Sequence, residues 1–328
     1  MKAIFPWFEP AQKNLARALQ SDRMAHAILI TADFGCGKFE FASNLSQRLL
    51  CVNQNLLEPA CGQCKSCLLF AAQTHPDFYL IQQLIDNKGK QKRSIGIEQI
   101  RLLTDKLADT AQLGGWRIAL IASVSAMTTA AYNALLKTLE EPGRNTLLLL
   151  LADNAQRVPA TIRSRCQVVQ PDLNRNKLTD WLVTQSGHSA EAVEQSLNAC
   201  FDAPLKARSY LETAAYEDEA DFYQRCDQIL LNDLTPQELL GQSTIEEKVL
   251  WQSLTGYFYQ VEKARLENSG LSQYQKLPIQ LPFELFEKLL EFNRAQLAGS
   301  NLQAPLQLQS ILIQWYEAGR KIRYYSNK

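Results

Sequence analysis

The chain has 328 residues, 46% of them hydrophobic, which is length for two or three domains and enough apolar mass for real cores. Lys plus Arg and Asp plus Glu both number 34, so the net charge is zero; that argues against a strongly DNA-binding monomer but leaves room for local basic patches. No run approaches the roughly 18 apolar residues that a membrane helix needs, and the opening M-K-A-I-F-P-W-F-E-P has no long apolar stretch and no cleavage site, so the chain reads as mature and cytosolic.

Glu9 to Gln20 is expected as a short helix with Leu15, Ala16 and Leu19 on one side. Ala27 to Thr31 is a short buried strand. Residues Ala32 to Phe39, A-D-F-G-C-G-K-F, follow it, and Phe39 to Leu50 reads as a helix with Phe41, Leu45 and Leu49 at helical spacing. A working phosphate loop has the spacing G-x-x-x-x-G-K-[ST] between a strand and a helix. Its glycines let backbone N–H groups curl around phosphates, its Lys meets the outer phosphates, and its Ser/Thr hydroxyl binds Mg²⁺. Gly35, Gly37 and Lys38 are in place here, but the opening glycine is Ala32 and the hydroxyl position is Phe39. A phenyl ring cannot coordinate Mg²⁺.

Cysteines come next: Cys51, Cys61, Cys64 and Cys67, spaced C-x₉-C-x₂-C-x₂-C. Four thiolates can close a tetrahedral S₄ shell, the preferred arrangement for zinc, and leave no open position, so the metal is expected to be structural. Cys36, Cys166, Cys200 and Cys226 are scattered and read as core thiols. His75, in T-H-P-D, reads as a structural histidine before a turn, since the cysteines already complete a site.

Asp77 to Gln82 is expected as a second strand, Asn87 to Ser94 (N-K-G-K-Q-K-R-S) as a solvated basic loop, and Ile97 to Asp109 as a helix. Arg117 to Ala122 is a third strand, Thr129 to Glu141 a helix stopped by Pro142, and Thr146 to Ala152 a fourth strand. A P-loop ATPase carries a second metal-binding motif at the end of its third strand, an Asp for Mg²⁺ commonly followed by a Glu. This chain has Ala122 and Ser123 there; Asp153 follows the fourth strand, but without a Glu. Two metal contacts are therefore missing, at Phe39 and Ala122. A short helix ending in Ser164-Arg165-Cys166 leads into strand Gln167 to Val169, with Arg163 read as an ordinary salt-bridge partner. Alternating strands and helices indicate an α/β domain with a mainly parallel sheet.

After about Pro171 the pattern is all helical. Lys177 to Ser186, Ser189 to Cys200 and Pro204 to Ala215 form a three-helix segment, and the acidic stretch from Tyr216 to Asp221 is expected as a joint. Phe283, Phe286, Leu290 and Leu297 are expected to share one face. Pro305 opens a last helix with Leu308, Leu312 and Trp315 inward, while Arg320, Lys321 and Arg323 read as solvated charge.

N-A-L-L-K-T-L-E-E-P (Asn133 to Pro142), the S-R-C motif, the four-cysteine insert and the opening F-P-W (Phe5 to Trp7) resemble bacterial clamp-loader subunits of the AAA+ class. The likeness spans residues 1 to about 215, and the helical remainder fits in length and pattern. It implies an AAA+ P-loop-type core over residues 1–170 with a zinc module at 51–67, an all-α lid over 171–215 and an all-α collar over 216–328. It also implies a hetero-pentamer with gamma or tau and delta subunits, which opens a sliding clamp and places it on primed DNA. ATP sites in that ring lie between subunits, and the S-R-C arginine, here Arg165, reaches the ATP of a neighbour. The lid of an active subunit carries a nucleotide-sensing Arg in G-S-x-R; the stretch here, Asp202 to Leu205, has none. The degraded loop therefore points to a member that does not hydrolyse ATP. The rival reading, an active gamma- or tau-like ATPase with an unusual loop, is opposed by Phe39, Ala122 and Ser123. A stand-alone zinc-ribbon DNA-binding protein does not fit the zero net charge.

Overall fold

Apolar runs of strand length without polar alternation belong to sheets covered on both faces. That is how β1 (Ala27–Thr31), β3 (Arg117–Ile121) and β4 (Thr146–Ala152) sit in the computed structural model: every residue of the three is buried. With β2 (Phe78–Ile81) and β5 (Gln167–Val169) they form a five-stranded sheet in the order β2-β3-β4-β1-β5. All four pairings are parallel. The two edge strands are the less buried ones, as partial cover predicts. The structure describes residues 5–85, 92, 94–212, 215–242, 247–278, 280–297 and 304–326. The basic stretch Asn87 to Ser94 thus lies outside the described residues except at Lys92 and Ser94.

The contacts divide the chain into two compact units, Met1–Trp181 and Leu182–Lys328. In the first, α1 (Glu9–Gln20) precedes β1; α2 (Lys38–Leu50), α3 (Lys65–Ala71), α4 (Ile97–Ala108), α5 (Thr129–Glu140) and α6 (Ala160–Arg163) lie in the connections between strands; and the start of α7 (Arg175–Ser186) follows β5. One apolar layer joins Ile100, Leu103 and Leu107 of α4 and Ala131, Leu135 and Leu139 of α5 to Leu29, Ala119, Ile121, Leu148 and Leu150 of the sheet. The alternation Leu148–Leu150 on that face leaves the intervening side chains for the other. Helix α3 is the element that the sequence reading does not anticipate. It is short, and its N-cap is a thiol: the Cys64 sulfur accepts from the Cys67 N–H.

The second unit is helical throughout its described residues: α8 (Ala190–Ala199), α9 (Pro204–Glu212), α10 (Ala215–Leu231), α11 (Pro236–Gln242), α12 (Glu247–Leu266), α13 (Ser272–Lys276), α14 (Leu281–Leu297) and α15 (Ala304–Ser326). Trp315 is its hub. The indole is fully buried, meets Phe258 and Tyr257 edge-on, and donates to the Cys226 carbonyl at 3.2 Å. Leu308 and Leu312 point inward with it, as expected, and Arg320, Lys321 and Arg323 are exposed.

Two readings gain detail here. The acidic stretch Tyr216 to Asp221 lies inside α10 rather than in a loop. Acidic residues in a first turn complement the helix dipole, so this composition starts a helix as readily as it breaks one. On α14 the buried face is Leu285, Leu289 and Phe292, while Phe286 and Leu290 are half-buried and Phe283 is 54% exposed. The sequence holds two apolar stripes one residue apart, and periodicity alone does not choose between them.

Candidate functional site

Loops that follow the carboxyl ends of parallel strands gather on one side of the sheet. Here they are the phosphate-type loop after β1, Ala122-Ser123 after β3 and Asp153 after β4. Gly35 (φ 94°) and Gly37 (φ 80°, ψ 24°) both adopt left-handed backbone, and Gly37 is the N-cap of α2. The strand–loop–helix frame is therefore intact. What lines it departs from the usual metal contacts at two positions. Phe39 occupies the hydroxyl position and is 40% exposed, and Ala122 and Ser123 bring no carboxylate.

Lys38 does not stand free for phosphates. Its Nζ lies 2.6 Å from Asp153 Oδ1, with the lysine side chain 12% exposed. The sheet makes that pairing inevitable: Thr31 lies opposite Ala152, and the Ala32 N–H donates to the Ala152 carbonyl, so the residues after both strands meet. A second tie holds the loop from the other side. Trp7 is fully buried, and its Nε1 donates to the Cys36 carbonyl at 2.8 Å. The same indole stacks on Phe5 at 4.8 Å and meets Trp181 edge-on at 5.0 Å. The opening F-P-W thus anchors the loop.

Arg165 sits between α6 and β5. Its Nη2 donates to Glu140 Oε1 at 2.6 Å, and its Nη1 donates to the Thr161 carbonyl at 2.9 Å. The side chain is 36% exposed. Arg163, expected in a salt bridge, has no carboxylate partner among the described residues and instead donates to the Ala155 carbonyl at 3.1 Å. Its helix places it over a backbone turn rather than over an acid.

The four cysteines converge. The sulfurs of Cys51, Cys61, Cys64 and Cys67 all lie within 4.8 Å of one another, and those of Cys61 and Cys67 are 3.9 Å apart. A tetrahedral zinc with Zn–S of ~2.3 Å sets its sulfurs ~3.8 Å apart, so the set fits that ion. Backbone N–H groups of Cys61, Cys64 and Cys67 point at the sulfurs of Cys51, Cys61 and Cys64, each at 3.4 Å. Such donors favour thiolates. N–H groups of Gln63 and Cys64 lower the Cys61 thiol to about 6, whereas burial, with Cys64 and Cys51 beside it, pushes Cys67 up to about 12. A bound dication would supply the positive charge that Cys67 needs to ionise.

The loop between Cys51 and Cys61 is tied to the domain by Arg48, a residue the sequence reading passed over. Arg48 is buried, donates to Asn44 Oδ1 at 2.6 Å and to the Leu56 carbonyl at 2.6 Å, and burial lowers its pKa. His75 fills the structural role expected of it: Nδ1 accepts from the Asp77 N–H at 3.1 Å, and Nε2 meets Ser66 Oγ at 3.0 Å. Of the scattered cysteines, Cys36 and Cys226 are buried, but Cys166 and Cys200 are only half-buried. Burial raises Cys166 to about 11, so that thiol is unreactive at neutral pH. Among the described residues no helix is long and apolar enough to cross a membrane.

A family model described as DNA polymerase III, delta subunit, matches residues 8–173, over half of the chain. A DNA polymerase III subunit delta' from Haemophilus influenzae is 34% identical over 226 residues, 69% of this chain and 67% of that one. Its counterpart from Pseudomonas aeruginosa is 29% identical over 330 residues, 96% of this chain and 98% of that one. The Escherichia coli subunit delta' is 36% identical over 202 residues, 61% of this chain and 58% of that one.

The chain belongs to the DNA polymerase III delta-prime family. The likeness read from Asn133 to Pro142 and from the S-R-C motif is thereby met at the level of the family. Two residues of this delta-prime chain escaped the sequence reading of its site. Asp153 was visible as an acid after the fourth strand, and its real signal was position: β4 had to neighbour β1 for it to reach Lys38. Glu140 lies inside a motif used only for its likeness, and nothing in the spacing ties it to Arg165.

Proposed function

We propose that this chain is a non-hydrolysing subunit of the bacterial clamp loader of DNA polymerase III, and that it lends Arg165 to an ATP bound by a neighbouring subunit. The observation that carries the reading is the Lys38–Asp153 pair in a loop without metal contacts. A loop whose only phosphate-binding cation is neutralised from within, and whose Mg²⁺ hydroxyl is replaced by Phe39, has no means of activating ATP. Arg165, by contrast, is partly exposed and keeps donors unspent. An arginine finger supplied in trans stabilises transition-state charge and is worth about 10³–10⁵ in rate. A dead site beside a usable finger is what a subunit needs if it serves its neighbour's chemistry and not its own.

In this reading residues 1–170 are the AAA+ core, 171–215 a lid and 216–328 a collar that joins a hetero-pentamer with gamma or tau and delta subunits in the cytoplasm. The pentamer places the sliding clamp on primed DNA. The four cysteines hold a structural zinc; the metal would cross-link the insert and take no part in chemistry, since four sulfurs leave no open position. The deciding experiment is Arg165→Ala in the reconstituted complex, with Arg163→Ala as control. Clamp- and DNA-stimulated ATP hydrolysis should slow for the first and hold for the second, with the pentamer intact. Unchanged hydrolysis and loading for Arg165→Ala would refute the role in trans. Turnover by the isolated chain that is abolished by Lys38→Ala would instead mark it as an active ATPase.

A further inference from the structure

We propose that Glu140 is the positioning residue of Arg165: it holds the guanidinium in one place before a neighbour's nucleotide arrives. The inference rests on the reading of Arg165 as a finger and deepens it. Arginine is a long side chain that forfeits much rotamer freedom when it is fixed in one geometry. Here that cost is met inside the subunit. Two anchors grip different nitrogens, Glu140 Oε1 at Nη2 (2.6 Å) and the Thr161 carbonyl at Nη1 (2.9 Å). They leave Nε–H and the remaining Nη protons without a bond among the described residues.

The anchors come from separate places in the chain. Thr161 is on α6, one turn before Arg165, and fixes the side chain to its own helix. Glu140 is the last residue of α5, 25 positions away, and fixes it to the body of the domain. A carboxylate at a helix C-terminus adds its charge to the negative end of the helix dipole, so this is a strong place to seat a cation.

The geometry favours aiming over hiding. A carboxylate that engages a guanidinium in a two-pronged fork uses up one whole edge. Glu140 makes a single bond, and the Arg165 side chain remains 36% exposed. Both terminal nitrogens are anchored, and each keeps one N–H, with Nε–H beside them, for a further acceptor. The arrangement parallels the acid of a catalytic triad, which orients the working group and never touches the substrate.

The test uses the full chain assembled with its companion clamp-loader subunits, reading ATP hydrolysis stimulated by clamp and primed DNA. Glu140→Ala should lower kcat about tenfold at the bordering site, less than loss of the finger itself, because misplacing a catalytic group by about 1 Å costs up to about 10²-fold. KM for ATP should not change, since a finger acts in the transition state. Glu140→Gln keeps an acceptor at Oε1 and should restore most of the rate. Glu140→Asp keeps the charge but withdraws it, and should restore little. Glu141→Ala is the neighbouring control. In an Arg165→Ala background Glu140→Ala should add nothing, which a merely structural role would not produce. If Arg165→Ala slows the complex while Glu140→Ala leaves kcat unchanged, the positioning role is overturned and the finger stands. If Glu140→Ala speeds hydrolysis, the carboxylate hides the finger and the proposal is wrong. If Arg165→Ala itself changes nothing, the finger reading falls and this proposal with it.

Discussion

If the four cysteines hold zinc, as proposed, removing it should dissolve the insert and spare the sheet beneath it. Between Cys51 and Cys67 the only buried apolar residues other than cysteine are Leu56 and Ala60. The insert's own apolar cluster consists of Cys51, Ala60 and Cys67, flanked by Cys61 and Cys64, so its core is its ligand set. Burying one Leu and one Ala is worth about 3 kcal/mol. Fixing each of the residues from 51 to 67 costs about 1–2 kcal/mol in backbone entropy. Leu56 is also held by the Arg48 and Gln12 side chains, which soften the deficit without closing it. A bound zinc, worth about 10–16 kcal/mol in small zinc domains, would contribute several times what the two apolar residues do. The sheet has no such dependence, because β1, β3 and β4 are buried along their whole length.

The assay is hydrogen exchange on the full chain, before and after treatment with a strong chelator and a reductant. Amides of Cys61, Cys64 and Cys67, which donate to sulfurs, should lose their protection, and so should α3, which Cys64 caps. Amides of β1, β3 and β4 should exchange as slowly as before. Protection across 51–71 that survives with zinc shown to be gone would refute the reasoning, and so would loss of insert and sheet together.

Four further outcomes follow from the geometry. The purified chain should show no ATP turnover above background in a coupled assay, and Asp153→Asn should not create any, since Phe39 and Ala122 still offer no metal ligand; the lost ion pair, half exposed at Asp153, should cost about 1 kcal/mol or less in denaturant titration. Burial holds His75 below its ordinary 6.5, with the Asp77 charge opposing, so the neutral ring is the folded form. Its contribution is complete above pH 6.5 and is lost as pH falls through the lowered value, so melting curves should fall less steeply with acid for His75→Asn than for the native chain. Gly143→Ala should destabilise by about 1–3 kcal/mol, because the new methyl would sit 2.6 Å from Arg117 Nη2, and that buried guanidinium is fixed by the Leu107, Asp109 and Arg144 carbonyls. Gly319→Ala should cost about as much or more, since a methyl there would overlap the Leu230 carbonyl and force α10 and α15 apart; an unchanged midpoint in either case would show the packing to be slack.

Much of this was legible because local rules and tertiary demands agree. β4 spans the residues its apolar run marks, and α1 the residues its periodicity marks. The cysteines assemble because knuckles with short spacing leave sulfurs few other places to go. Legibility fails where the deciding contact is remote. Asp153 meets Lys38 across 115 positions and Glu140 meets Arg165 across 25, and no periodicity encodes either. It fails again where two patterns compete, as on α14, and where a charge run suits a helix start as well as a break, as on α10.

The loop after β1 also explains which of its positions were free to drift. Gly35 and Gly37 hold φ of 94° and 80°, conformations that side chains resist, so replacing either would strain the chain whether or not a nucleotide ever binds. Ala32 continues the line of β1, its N–H bonded to the Ala152 carbonyl, where a β-carbon is welcome. Phe39 is an exposed residue in the first turn of α2, where folding asks for little. If, as proposed, this chain does not hydrolyse ATP, the positions that serve only phosphate and metal are replaceable, and those that bend the backbone are not. The surviving glycines are then a record of architecture, and they would mislead any search that takes them as a mark of activity.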